Sequence, residues 1–189
     1  EKNINPYTKD LLEKIDESNT KNIIILPNNS NIILAAEQAK EISDKNIYIL
    51  PTKTIPQGIN SLIEIDFNND VDSNLEIMES AIELVKTIEI TYAVRDTTFD
   101  EKEIKKGEIL GVTEGEITET GSDLHDITID TVKKSIDENT EIVTIYYGDE
   151  AEKETAIELS EEIEQMLDFG DVEVYYGGQP LYYYLISVE

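Results

Sequence analysis

The sequence predicts two α/β subdomains, residues 1–90 built on a parallel sheet and residues 91–189 on a mixed sheet. Three observations carry this reading. In the first half, short apolar runs bounded by turn residues alternate with segments of helical period. In the second half, strands of period two surround a hairpin signal before helices return. Hydrophobic residues make up 39% of the 189, with only nine Gly and five Pro. That is enough to build a core and unlike a linker or a disordered acidic tail.

The elements follow in order. Leu11, Leu12 and Ile15 lie at helical spacing within 7–18. Asn22 to Leu26 is a buried strand, and Pro27, Asn28, Asn29, Ser30 and Asn31 form a turn rich in helix N-cap residues. A helix then runs to about Ile42, Asn46 to Leu50 is the second strand, and the loop 51–58 leads into a helix through Leu62. Leu75, Met78, Ile82 and Val85 stripe a helix over 74–87. Ile88 to Arg95 alternates as a strand, and Glu108 to Thr113 and Glu116 to Thr120 flank the hairpin pair Glu114-Gly115. Ser122 opens a helix to about Ile136, and Thr140 to Tyr147 is a strand. A helix over 149–167 carries Ala156, Leu159, Ile163 and Met166, and the strands Val172 to Tyr176 and Leu181 to Val188 close the chain.

Charge and composition exclude several function classes. There are 42 acids against 15 bases, a formal net charge of −27, which repels bare nucleic acid and anionic membrane surfaces. The same charge disfavours self-association, so a monomer is expected. With no Cys there is no disulfide, thiolate zinc site or thiol nucleophile, and one His excludes a multi-His metal site. The longest apolar run, Leu181 to Ile186, is far below the ~18 residues of a membrane span. The chain begins at Glu1 with no signal peptide and reads as a piece of a longer polypeptide. The acidity is uneven: residues 107–189 hold 22 acids against Lys133, Lys134 and Lys153, whereas Arg95, Lys102, Lys105 and Lys106 balance the acids of 91–106. Such asymmetry points to a basic partner for the second half or to a solvated surface.

No GxGxxG, phosphate loop or GxSxG pattern is present, and no Ser or Cys accompanies His125 as a nucleophile. Asp66, Asn68 and Asp70 match the start of a calcium loop, but Val71 and Ile77 replace its Gly and bidentate Glu. Two loops should open on the carboxyl edge of the parallel sheet, one with Asn28, Asn29 and Asn31, the other with Thr52, Lys53 and Gln57. Their amides, hydroxyls and single cation suit a small anion, or serve only turns and caps. On the helix at 149–167, Glu150, Glu154, Glu158 and Glu162 recur at i,i+4 steps, each pair unfavourable by roughly 0.2–0.5 kcal/mol. A basic partner would relieve that repulsion, and Asp123 and Asp126 extend the acidity. Ten Tyr against no Trp, clustered at 146–147, 175–176 and 182–184, suit an interface or a sheet under helices.

Four motifs in order, Pro27-Asn-Asn-Ser-Asn-Ile-Ile-Leu-Ala-Ala-Glu-Gln-Ala39, Pro51-Thr-Lys-Thr-Ile-Pro-Gln-Gly58, Thr91-Tyr-Ala-Val-Arg-Asp-Thr97 and the stretch from Gly177 to Glu189, resemble the C-terminal region of the bacterial FakA (YloV) fatty acid kinases. The resemblance runs from about residue 20 to the last residue. It implies a DegV/FakB-like arrangement of the two subdomains, no catalytic residue and no cofactor in this piece, and a cytoplasmic location. ATP and magnesium binding would fall to an upstream domain, and His and Cys catalytic groups to a middle one. The implied partners are those kinase domains and a fatty-acid carrier, FakB, whose basic surface would meet Glu150, Glu154, Glu158, Glu162, Asp123 and Asp126. The carried fatty acid would become an acyl-phosphate for phospholipid synthesis. The alternative is a small-ligand or acyl-binding module using the 27–31 and 51–58 loops.

Overall fold

The computed structural model describes residues 5–99 and 102–189. It divides into two compact units, Glu1–Leu84 and Val85–Glu189. The predicted boundary after residue 90 falls inside a strand, because the stripe read as helix to 87 ends earlier.

The first unit runs α1 (Pro6–Glu17), β1 (Asn22–Ile25), α2 (Ser30–Ile42), β2 (Asn46–Ile49), α3 (Ile55–Ile63) and α4 (Val71–Glu83). β1 and β2 pair in parallel, Asn22 opposite Asn46 and Ile25 opposite Ile49. Ile15, Ala39 and Ile47 form the buried core, with Leu11, Leu12, Ile23, Ile25 and Ile49 against it. All four helix starts carry side-chain caps: Asn5 accepts from Tyr7 N–H, Asn29 from Asn31 N–H, Thr54 from Gln57 N–H and Asp70 from Ser73 N–H. Asp70 starts α4 three residues ahead of the predicted 74. α3 is fastened to α4 by Ser61 Oγ donating to Met78 O and Asn60 Nδ2 to Ala81 O.

The second unit contains β3 (Lys86–Tyr92), β4 (Thr97–Phe99), β5 (Lys102–Ile104), β6 (Ile109–Thr113), β7 (Glu116–Gly121), α5 (Leu124–Ser135), β8 (Ile142–Tyr147), α6 (Lys153–Glu164), β9 (Asp171–Tyr176) and β10 (Tyr184–Val188). Six strands form one sheet in the order β7-β6-β3-β10-β8-β9, antiparallel except for β8-β9. A mixed sheet in this half is as predicted. Ile88, Ile90, Ile145, Tyr184 and Ile186 pack with Ile127, Val132, Ala156, Leu159 and Ile163 of α5 and α6. This is one sheet face under two amphipathic helices. The β6–β7 turn is the predicted one: Glu114 (φ 50°) and Gly115 (φ 83°) are both left-handed, as a type I′ turn requires.

The predicted strand from 88 to 95 stops at Tyr92, and a hairpin that the sequence pattern did not predict follows. Tyr92 lies opposite Ile109, and Thr97 opposite Ile104. Four residues intervene on each side, so β4–β5 continues the β3–β6 ladder in phase. At the joint, Ala93 N–H donates to Glu108 O and Gly107 N–H to Ala93 O. Glu108 N–H donates to Lys105 O across Lys106-Gly107, with Gly107 at φ 90°, the geometry of a type II turn. β10 pairs with β3 only as far as Ile90, so the hairpin leaves the sheet as an arm.

Candidate functional site

At the carboxyl edge of β1 and β2 the two predicted loops do meet. Asn28, left-handed at φ 55°, donates its N–H to Thr52 Oγ1 at 3.0 Å, and Thr52 is fully buried. Lys53 N–H donates to Gln57 Oε1 at 2.8 Å. Three of the six residues therefore bond within the loops: Asn29 caps α2, Thr52 holds Asn28, and Gln57 holds Lys53. Lys53 and Asn31 are exposed. Asn28 Oδ1 is buried with no hydrogen-bond partner. It lies against Gly58, where a Cβ would stand 2.0 Å from it, so glycine is what lets α3 approach the loop.

In the second unit the acidic residues divide by role. α6 begins at Lys153 rather than near 149, so Glu150 sits in the preceding turn and the ladder on the helix is Glu154, Glu158 and Glu162. The cause is tertiary: Gly148 N–H donates to Tyr183 O and Asp149 N–H to Gln179 O, which draws these residues into the strand-end network. Glu154, Glu158 and Glu161 are exposed. Glu162 Oε2 lies 3.0 Å from His125 Nε2, and Asp126 Oδ1 lies 3.8 Å from His125 Nδ1. Asp123, not Ser122, caps α5 by accepting from Asp126 N–H at 3.0 Å. The lone histidine thus joins the start of α5 to α6, with Asp126 and Glu162 beside it. Lys134 pairs with Glu119. The His125–Glu162 contact depends on how two helices pack, which no local pattern encodes.

The tyrosines split between surface and core. Tyr146 stacks on Tyr175 with ring centroids 6.1 Å apart, and Tyr147 meets Tyr176 at 5.3 Å. Tyr175 donates its hydroxyl to Glu173 and Tyr176 to Asp149, and these bonds hold both phenols protonated above their usual range. Tyr184 is fully buried in the core and its hydroxyl has no partner. Burial alone pushes its pKa up to about 12. On β3, Glu89 is half-buried, and its carboxyl is raised by burial and then by the nearby Glu114.

Asp66 accepts from both Asn68 nitrogens and Asp70 caps α4, so neither carboxylate is held out for calcium. Among the described residues, no cluster of three or more His, Asp or Glu is arranged for a metal ion. No helix among them is long and apolar enough to cross a membrane.

The family of FakA-like fatty acid kinase C-terminal domains matches residues 1–189. Protein YloV of Bacillus subtilis is 38% identical over 186 residues, covering 98% of this chain and 34% of YloV. A protein of Staphylococcus aureus (strain USA300) is 39% identical over the same length and shares. The chain spans about a third of these curated relatives. Among solved structures, the Streptococcus pneumoniae fatty acid kinase B3 protein loaded with linoleic acid superposes with a TM-score of 0.67 at 14% identity, over 97% of this chain and 76% of that one. The dihydroxyacetone kinase of C. freundii gives 0.62 at 11% identity, over 96% of this chain and 41% of that one. These likenesses show a DegV/FakB-like fold, and with the sequence match over its whole length the chain belongs to the family of FakA-like C-terminal domains.

Proposed function

We propose that this chain is the non-catalytic docking domain of a fatty acid kinase. It receives the basic surface of a fatty-acid carrier while upstream domains of the same polypeptide bind ATP and magnesium and transfer the phosphoryl group. The observation that carries the reading is the acidic face of the second unit. Glu154, Glu158 and Glu161 stand exposed on α6, Asp126 and Glu162 flank a single histidine, and Asp123 caps α5 next to it in sequence. Like charges at i,i+4 oppose the helix by a few tenths of a kcal/mol each, a repulsion that a cationic partner removes. Exposed pairs are screened by salt, so the complex should form at low ionic strength and dissolve at high. Sedimentation of the chain with purified carrier at both salts tests this. The variant E154K/E158K/E161K should weaken the complex at least tenfold at low salt. Carrier binding that ignores both salt and charge reversal removes the proposal.

The alternative, an acyl or small-ligand site at the 27–31 and 51–58 loops, is favoured by one observation, the unpartnered buried Asn28 Oδ1. A ligand filling that acceptor must donate a hydrogen bond, as a fatty acid does with its carboxyl bound in the protonated form. A thermal shift of the chain with free fatty acid or acyl-phosphate supports it; no shift at millimolar ligand removes it.

A further inference from the structure

Helix α3 is turned inside out. Its buried residues are Pro56, Gln57, Gly58 and Ser61, all small or polar. They serve local contacts: Gln57 Oε1 accepts from Lys53 N–H, Gly58 abuts the Asn28 side chain, and Ser61 Oγ donates to Met78 O. Ile55, Ile59, Leu62 and Ile63 fall on the other side of the helix, at the i, i+4, i+7 and i+8 spacing of an apolar face. In a surface helix that face packs onto the core. Here Ile55 is 45% exposed, Leu62 55% and Ile63 71%, and Phe67, just beyond the helix, is 90% exposed. Exposed aliphatics scattered singly need no explanation, but a row of them along one helix face marks an interaction surface.

Charge and permanence narrow the occupant. The segment that follows the row carries Glu64, Asp66 and Asp70, all exposed, so the apolar face ends in an acidic border. A second copy of the chain would bring the same acids and a net charge of −27 to the contact, and like charges repel. A partner with cations beside its apolar residues is matched. Permanent interfaces are the more apolar ones, whereas transient interfaces are about as polar as the rest of the surface. A carrier that loads and leaves suits the salt-sensitive acidic face of the second unit; an aliphatic row suits a partner that stays. The chain spans about a third of its curated relatives, and domains tethered in one polypeptide meet at high effective concentration.

We propose that the α3 face of Ile55, Ile59, Leu62 and Ile63, with Phe67, is a permanent docking surface for an amphipathic helix from the upstream part of the same polypeptide. That helix presents aliphatic side chains on one face and Lys or Arg beside them, opposite Glu64, Asp66 and Asp70. The proposal rests on the reading of this chain as one domain of a longer kinase and not on the acidic face of the second unit.

Thiol labelling tests this in the full-length kinase polypeptide and in the 189-residue chain. The chain has no Cys, so I63C supplies a single thiol whose modification peptide mass spectrometry reads in either context. Without carrier, I63C should react with iodoacetamide at least tenfold more slowly in the full-length polypeptide than in the chain. K40C, exposed on α2, should react equally fast in both. L62K should restore the I63C rate in the full-length polypeptide and leave the melting temperature of the chain near wild type, because Leu62 lies on the exposed face. The slowing should persist at high salt, since apolar burial is not screened as exposed ion pairs are. Equal I63C rates in the two contexts overturn the proposal, and so does equal slowing of I63C and K40C. Slow labelling of the chain alone that speeds up on dilution also overturns it and assigns a second copy. Slowing that appears only when carrier is added overturns it and assigns the carrier. A carrier that fails to bind the acidic face sinks the docking reading alone, because the labelling comparison is made without it.

Discussion

Replacing Tyr184 by Phe should stabilise the second unit, and the gain should grow with pH. The hydroxyl of Tyr184 is fully buried and makes no hydrogen bond. Burying such a group unsatisfied costs about 1–3 kcal/mol. Removing one oxygen forfeits a few dispersion contacts of ~0.1–0.2 kcal/mol each. The net gain at pH 7 is therefore about 1–2 kcal/mol, or roughly 4–8 °C per kcal/mol for a unit of this size. Ionisation adds a second effect. Burial raises the folded-state pKa to about 12 from an ordinary 10.0. Above pH 10 the unfolded chain releases this proton while the folded one keeps it, so the group's contribution is intact below pH 10 and is lost as pH rises through 12. Two pKa units correspond to about 3 kcal/mol. Urea unfolding followed by far-ultraviolet circular dichroism at pH 7, 10 and 11.5 measures both effects. Y184F should be more stable at pH 7 and lose less stability towards pH 11.5. A less stable Y184F at pH 7 would refute the reasoning by showing that the hydroxyl is satisfied, and an unchanged alkaline slope would refute it by showing that burial does not shift the phenol.

Other substitutions follow from the same geometry. Glu89 has its folded pKa raised by burial and by Glu114, so it favours folding below its ordinary pKa and opposes it as pH rises through the folded value. E89Q should raise the melting temperature at pH 7 and lose that advantage below about pH 4, where both forms are neutral. At Gly148, a Cβ would meet Tyr182 O at 2.2 Å and Gln179 O at 2.5 Å, both backbone. G148A should cost about 1–3 kcal/mol or more, and G115A, with open space but φ 83°, about 1 kcal/mol; the reverse order in chemical denaturation would contradict the packing argument. Asp123 separates capping from docking. D123N should keep the α5 cap, with a melting temperature near wild type, yet weaken salt-sensitive carrier binding, while D123A should also lose about 1 kcal/mol of stability.

Most elements were legible because burial imposes a period on the sequence. The Ile-rich runs of β1 and β2, the Glu114-Gly115 turn and the stripe of Ala156, Leu159 and Ile163 each specify their element locally. The errors lie where tertiary contacts override local pattern. Helical period continues back through Glu150, but the amides of Gly148 and Asp149 serve Tyr183 and Gln179 instead, so α6 starts late and the ladder loses its first rung. His125 stands beside Asp126 in the sequence, but its bond to Glu162 exists only because α5 and α6 pack side by side.

The joint at 93–108 shows most clearly what charge counting conceals. In sequence, Arg95, Lys102, Lys105 and Lys106 balance Asp96, Asp100, Glu101 and Glu103, and the segment reads as neutral. Asp100 and Glu101 lie outside the described residues. The arm strands β4 and β5 have three residues each, too short for alternation to emerge, and their pairing is visible only as a register that stays in phase with β3–β6. Within that arm the described charges are sorted by contact: Glu103 pairs with Lys105, and Asp96 accepts from the backbone N–H of Lys106. A balance of zero over sixteen residues thus resolves, among the described residues, into one ion pair and one carboxylate spent on a backbone amide. Electrostatic function follows from which partners the fold permits, not from the sum.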